Sequence, residues 1–95
     1  MKPAAMIKIA TTTRGLLQVF VNGERVMLMN PTTMLRMLEA AHAIGAAVDL
    51  QRNIPADYYV TDLVTGDRYE EPRETIELVA GRSYIALYAG PTPTA

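Results

Sequence analysis

Residues 16–29 read LLQVFVNGERVMLM, two β-rich runs on either side of Asn22-Gly23. That dipeptide is the strongest short-range signal for a two-residue type I′ turn, because both residues tolerate the positive φ that its central positions demand. A two-residue loop also fixes register. Val21 then faces Glu24, Val19 faces Val26 and Leu17 faces Leu28 on one face of the ribbon; Phe20 faces Arg25, Gln18 faces Met27 and Leu16 faces Met29 on the other. Valine and leucine concentrate on the first face, which is therefore expected to be core, whereas the second carries Gln18 and Arg25 and is still unusually apolar for a solvent face.

Working outward, Asn30-Pro31-Thr32-Thr33 is a helix-start signal. Asn30 or a threonine can cap free amides, and Pro31 suits the first helical position, where no amide donor is needed. The helix is expected to run to about Ala43 or Gly45, with Gly45 as terminator. Met34, Leu35, Leu38, Ala41, Ile44 and Val48 recur at spacings of three and four, an apolar stripe that can lie across the core face of the hairpin. A hairpin cannot hide one face alone, so a helix packed across it is the expected second layer.

After a loop over residues 49–57, Tyr58 to Leu63 reads as a strand, and Thr65-Gly66-Asp67 as a turn into a short strand around Arg68 to Glu70. Pro72 marks that strand as an edge. Glu74 to Leu78 is ambiguous, Gly81-Arg82 is a turn, and Ser83 to Ala89 is a final strand rich in β-formers. Alternation along it, with Ile85 and Leu87 taken as inward, leaves Tyr84, Ala86 and Tyr88 outward. Before the hairpin, residues 1–15 are expected to form a mobile tail with one candidate strand at Met6 to Ala10. Residues 91–95, PTPTA, form a Pro/Thr tail that cannot continue a ladder.

Ninety-five residues suit one modest core, and 49% hydrophobic against 20% charged residues is the composition of a folded chain. The expected fold class is α+β. A net charge of −1 with scattered basic residues argues against nucleic acid as a partner. The absence of cysteine rules out disulfides, thiolate metal sites and thiol nucleophiles, and fits a reducing compartment. No apolar stretch approaches bilayer length and residues 1–15 lack a signal-peptide h-region, so no membrane partner and a cytoplasmic location are expected.

No catalytic constellation emerges, and the chain is expected not to be an enzyme. His42 is the single histidine and reads as a boundary or surface residue of the helix. Without converging ligands around it, neither a metal nor another cofactor is expected. Ser83 is the single serine, and no Ser-His-Asp arrangement can be drawn.

The order strand, strand, helix, strand, short strand, strand resembles the β-grasp fold, a mixed sheet of four to five strands with one helix across it. Residues 16–90 resemble ubiquitin and its bacterial relatives in particular. The stretch VFVNGERVMLMNPTTMLRMLEAA looks like the opening of small bacterial ubiquitin-like and sulfur-carrier proteins. Ile54-Pro55-Ala56-Asp57 sits where ubiquitin has a similar Ile-Pro-x-Asp after its helix, and the segment from Ser83 ends in Gly90 as ubiquitin-like modifiers end in a glycine-bearing tail.

The resemblance implies a protein modifier, of the kind encoded in bacteria beside its own activating, conjugating and deconjugating enzymes. In such proteins the C-terminal carboxylate is adenylated and passed as a thioester to a cysteine of another protein. Glycine keeps the activated tail slender. Here a single Gly90 is followed by Pro91-Thr92-Pro93-Thr94-Ala95, so the conjugating end is either Gly90, exposed by a peptidase, or Ala95 itself. Cleavage before Pro91 is chemically awkward because that bond is a tertiary amide beside a restrained ring.

The second expected site is a surface. Leu16, Phe20, Met27 and Met29, joined by Tyr84 and Tyr88 from an adjoining last strand, are expected to form one apolar patch for a partner protein. The implied partners are the activating and conjugating enzymes, the deconjugating peptidase and the targets. Lys2 and Lys8 are the two lysines, so chains built by self-conjugation would grow from that tail or from the α-amino group. Two other readings stand beside the modifier: a noncovalent or self-assembling β-grasp module using its open face and edge strands, and a sulfur carrier, which the missing Gly-Gly disfavours.

Overall fold

A computed structural model describes residues 15–91. The candidate strand at Met6 to Ala10, together with Lys2, Lys8 and Ala95, lies outside the described residues. Strand β1 (Gly15–Val21) and strand β2 (Glu24–Asn30) form the hairpin, one residue earlier at its start than the sequence suggests. Their register matches the expected pairs, from Leu16 opposite Met29 to Val21 opposite Glu24. Asn22 and Gly23 sit at φ 53° and 82°, the left-handed pair the turn requires.

Asn22 does more than turn the chain. Its side-chain amide donates to the carbonyl of Ala46 at 2.7 Å, and its Oδ1 accepts from the Ala86 amide at 2.8 Å. The tip of the hairpin is thereby fastened both to the loop after the helix and to the last strand, 64 residues away in sequence.

Helix α1 (Met34–Ala43) starts later than Pro31. Thr32 and Thr33 form a short strand, β3 (Thr32–Thr33), paired with β6 (Thr75–Ile76), which takes up the residues expected to open the helix. Pro31 is therefore not at the first helical position. Asn30 is not the cap either: its Oδ1 accepts from the Leu78 amide at 2.8 Å, while Thr33 Oγ1 accepts from the Arg36 amide at 3.2 Å. The first two helical amides, of Met34 and Leu35, donate to the carbonyls of Glu74 and Pro72, so a distant loop satisfies donors that a helix start leaves free. At the other end Gly45, at φ 74°, terminates the helix as expected.

The helix buries Met34, Met37, Leu38 and Ala41 against the Val19, Val21, Val26 and Leu28 face of the hairpin. Met37 was not in the expected stripe. Ile44, which was, is exposed because the helix stops at Ala43 and Gly45 turns the chain away. Val48 is buried as expected.

After a 3-10 turn (Pro55–Asp57), β4 (Tyr58–Asp62), β5 (Arg68–Tyr69) and β7 (Ser83–Tyr88) complete a five-stranded mixed sheet of order β2-β1-β7-β4-β5. The fold is α+β, with β1 and β7 parallel at the centre and the helix across one face. No helix among the described residues is long and apolar enough to cross a membrane.

Candidate functional site

The sheet face away from α1 is defined strand by strand through register. Residues paired side by side point to the same face, so the β1–β2 pairs Leu16–Met29, Gln18–Met27 and Phe20–Arg25 lie on it together. In the centre, Val21 pairs with Tyr84 in parallel and Val21 is wholly buried, which sends Tyr84 to the core. From the other side, β4 gives the same parity: Tyr58–Tyr88, Val60–Ala86 and Asp62–Tyr84 share the helix face, and Tyr59–Leu87 and Thr61–Ile85 share the open one.

The expected patch is therefore corrected at its last strand. Tyr84 is 0% exposed and lies in the core, Ala86 is buried as well, and it is Ile85 and Leu87 that face outward. Tyr88, paired with Tyr58, has core-side parity too and is 36% exposed at the last position of β7. The alternation misled because β7 is apolar on both faces, as befits a central strand, so periodicity carried no information about which side is in.

Leu16, Met27 and Met29 remain 59%, 51% and 56% exposed, and Phe20 is half-buried beside them. These four form the lower part of the face. Because β7 begins beside Phe20, Leu87 stands about 26 Å from Leu16 along the strand direction at the usual rise per residue. The open face thus holds two apolar areas: one built from the hairpin, and one at the far end where Ile85 and Leu87 meet Tyr59. Tyr59 carries the Arg68 guanidinium 3.6 Å above its ring, and Arg68 in turn is 2.8 Å from Glu70.

At that far end lies an open cleft of about 300 Å³, lined by Asp57, Tyr59, Arg68, Glu70, Glu71 and Ala89 among others. It holds no nucleophile paired with a base, and no group of three His, Cys, Asp or Glu residues fit to hold a metal occurs among the described residues. His42 sits away from it. Its Nδ1 accepts from the Leu50 amide at 3.2 Å and lies 3.1 Å from the Val48 carbonyl, so the ring shapes the loop after the helix.

Gly90 has an environment that its place in a tail does not suggest. The Ala89 amide donates to the Asp57 carbonyl at 2.7 Å, prolonging the ladder beyond β7. A Cβ on Gly90 would lie 2.7 Å from Cβ and Cγ of Asp57 and from the Tyr88 hydroxyl. The Tyr88 hydroxyl donates to the Pro91 carbonyl.

The opposite end of β7 carries the strongest electrostatic knot. Asp62, 3% exposed, accepts through Oδ1 from the amides of Val64 at 2.8 Å and Thr65 at 3.1 Å, and its Oδ2 lies 3.0 Å from Nη1 of Arg82. Burial works to raise its pKa, but the two amides and the guanidinium outweigh it and hold the carboxyl below its ordinary value. Burial, and then the nearby charge of Asp62, raise the Tyr84 phenol; its hydroxyl has no hydrogen-bond partner of regular geometry, only a weak approach to the Val79 backbone.

No family model, no curated protein and no solved structure matches the chain.

Proposed function

We propose that the chain is a ubiquitin-like protein of β-grasp fold, attached to other proteins through its C-terminal end and recognised by partner enzymes across its open sheet face. The observation that carries this reading is a pairing of features on one sheet. The hairpin exposes Leu16, Met27 and Met29 on the open face, and its strand β1 pairs in parallel with β7, the strand that leads through Ala89 into Gly90 at the other end of the sheet. Exposed apolar surface of this kind marks a protein contact, and methionine adapts to more than one partner.

The chemistry requires nothing catalytic from this chain. A terminal carboxylate attacks ATP in an adenylating enzyme, releasing pyrophosphate; a cysteine thiolate of an enzyme displaces AMP; and a lysine amine of the target displaces the thiol, leaving an isopeptide bond that a deconjugating peptidase can hydrolyse. A noncovalent module is the second reading, favoured by the close packing of Gly90 and by β2, a seven-residue strand at the edge of the sheet.

The test is tryptic mass spectrometry of protein from cells that produce it. Trypsin cuts after Arg82, so a target lysine conjugated through Gly90 carries the branch SYIALYAG, and one conjugated through Ala95 carries SYIALYAGPTPTA. Recovery of either branch is expected. Recovery of the linear terminal peptide alone, from cells in which the protein is abundant, overturns conjugation and leaves the noncovalent reading.

A further inference from the structure

We infer that residues 89–91 form a latch, closed in the free protein, which a partner must open before it can use the C-terminal end. The inference rests on the conjugation reading for its purpose but on the chain's own contacts for its existence.

The six glycines divide sharply. Gly15, Gly23, Gly45, Gly66 and Gly81 all have positive φ and nothing within 4 Å of the position a Cβ would take. They serve backbone conformation. Gly90 is the reverse: its φ is not in the left-handed region, and a Cβ would lie 2.7 Å from two Asp57 atoms and from the Tyr88 hydroxyl, closer than real Cβ atoms come. Its glycine identity is demanded by space, because the backbone lies directly against the Asp57 side chain.

Two hydrogen bonds hold it there. The Ala89 amide donates to the Asp57 carbonyl on one side, and the Tyr88 hydroxyl closes over Gly90 to donate to the Pro91 carbonyl on the other. The Tyr88 ring is itself braced edge-on by Tyr58, with centroids 5.6 Å apart. Tyr58 is buried, and its hydroxyl accepts from the Asp49 amide at 2.9 Å and from the Asn53 side chain at 3.3 Å. The latch is thus anchored through an aromatic pair to the core. While it is closed, half-buried Gly90 is held against Asp57 and Tyr88 although Pro91 beyond it is exposed, and a narrow enzyme channel cannot receive the segment until those contacts are released.

Amide hydrogen exchange by NMR on the full chain, with no partner present, tests this. In the wild type the Ala89 amide is expected to exchange at least tenfold more slowly than in an unstructured peptide. Gly90→Ala should accelerate it about tenfold and Tyr88→Phe severalfold, while the Ala86 amide, bonded to Asn22, stays protected in both. An Ala89 amide that exchanges at the unstructured rate in the wild type, or unchanged in both variants, overturns the latch. Because the measurement uses no enzyme, its failure is distinct from failure of conjugation, which the branched tryptic peptide reports separately.

Discussion

The two faces of the β1–β2 hairpin are built from similar residues and meet opposite fates. Val19, Val21, Val26 and Leu28 disappear beneath α1, whereas Leu16, Met27 and Met29, no less apolar, stand more than half exposed. Composition does not separate them. What separates them is a second layer: the helix supplies Met34, Met37, Leu38 and Ala41 to one face, and nothing among the described residues does the same for the other. The difference teaches that burial is decided by the layer laid over a face and not by the face's own composition: α1 covers one side of the hairpin, and no described element covers the other.

The largest expected effect probes the one buried charge on the core face among the described residues. Replacing Asp62 by Ala removes the acceptor for two amides and leaves Arg82, itself only 21% exposed at its side chain, without its partner. The expected loss is about 3 kcal/mol, the scale for removing one member of a largely buried ion pair, read by urea denaturation at neutral pH. The same group sets a pH dependence. Since its folded pKa is depressed, its contribution is fully present above the ordinary aspartate range and is lost as pH falls through the lower folded value. The wild type should therefore lose stability in that acid window, and the variant should lose less of it. Equal acid sensitivity in both would show that Asp62 is not held down in the folded state.

Much of this arrangement was legible in the sequence, for reasons that can be traced to residues. Asn22-Gly23 allows one loop length, one loop length allows one register, and the observed pairing followed. The spacing of Met34, Leu38 and Ala41 gave the buried side of the helix. The parity of β7 was not legible, because Tyr84, Ile85, Ala86 and Leu87 are apolar in both registers and only the neighbours Val21 and Val60 decide which side is in. Strands β3 and β6 have two residues each, too few for any period to appear, so Thr32 looked like the start of a helix. Gly90 looked like a tail glycine because nothing in the sequence shows that Asp57 lies beneath it.

A smaller effect of opposite sign sharpens the same comparison from inside. Tyr84 brings one polar atom onto the buried face, and that hydroxyl lacks a regular partner. An unsatisfied buried hydroxyl is a net cost, so Tyr84→Phe, which keeps the ring and its packing, should leave stability unchanged or raise it by about 1 kcal/mol. A loss of that size instead would mean that the hydroxyl is satisfied by a bound water or by the Val79 backbone.

The smallest expected effect is the most informative about the open face. Met27→Ala and Met29→Ala remove about as much side chain as a core truncation, yet at positions already half in water each should change stability by no more than about 0.5 kcal/mol. A core truncation of a similar side chain costs roughly 2–5 kcal/mol. If either methionine variant approached that cost, some part of the chain itself would be covering the face, and the two faces of the hairpin would be equivalent after all. If both stay near zero, the exposed methionines contribute nothing to folding, and the two faces of the hairpin differ in energy as they do in exposure.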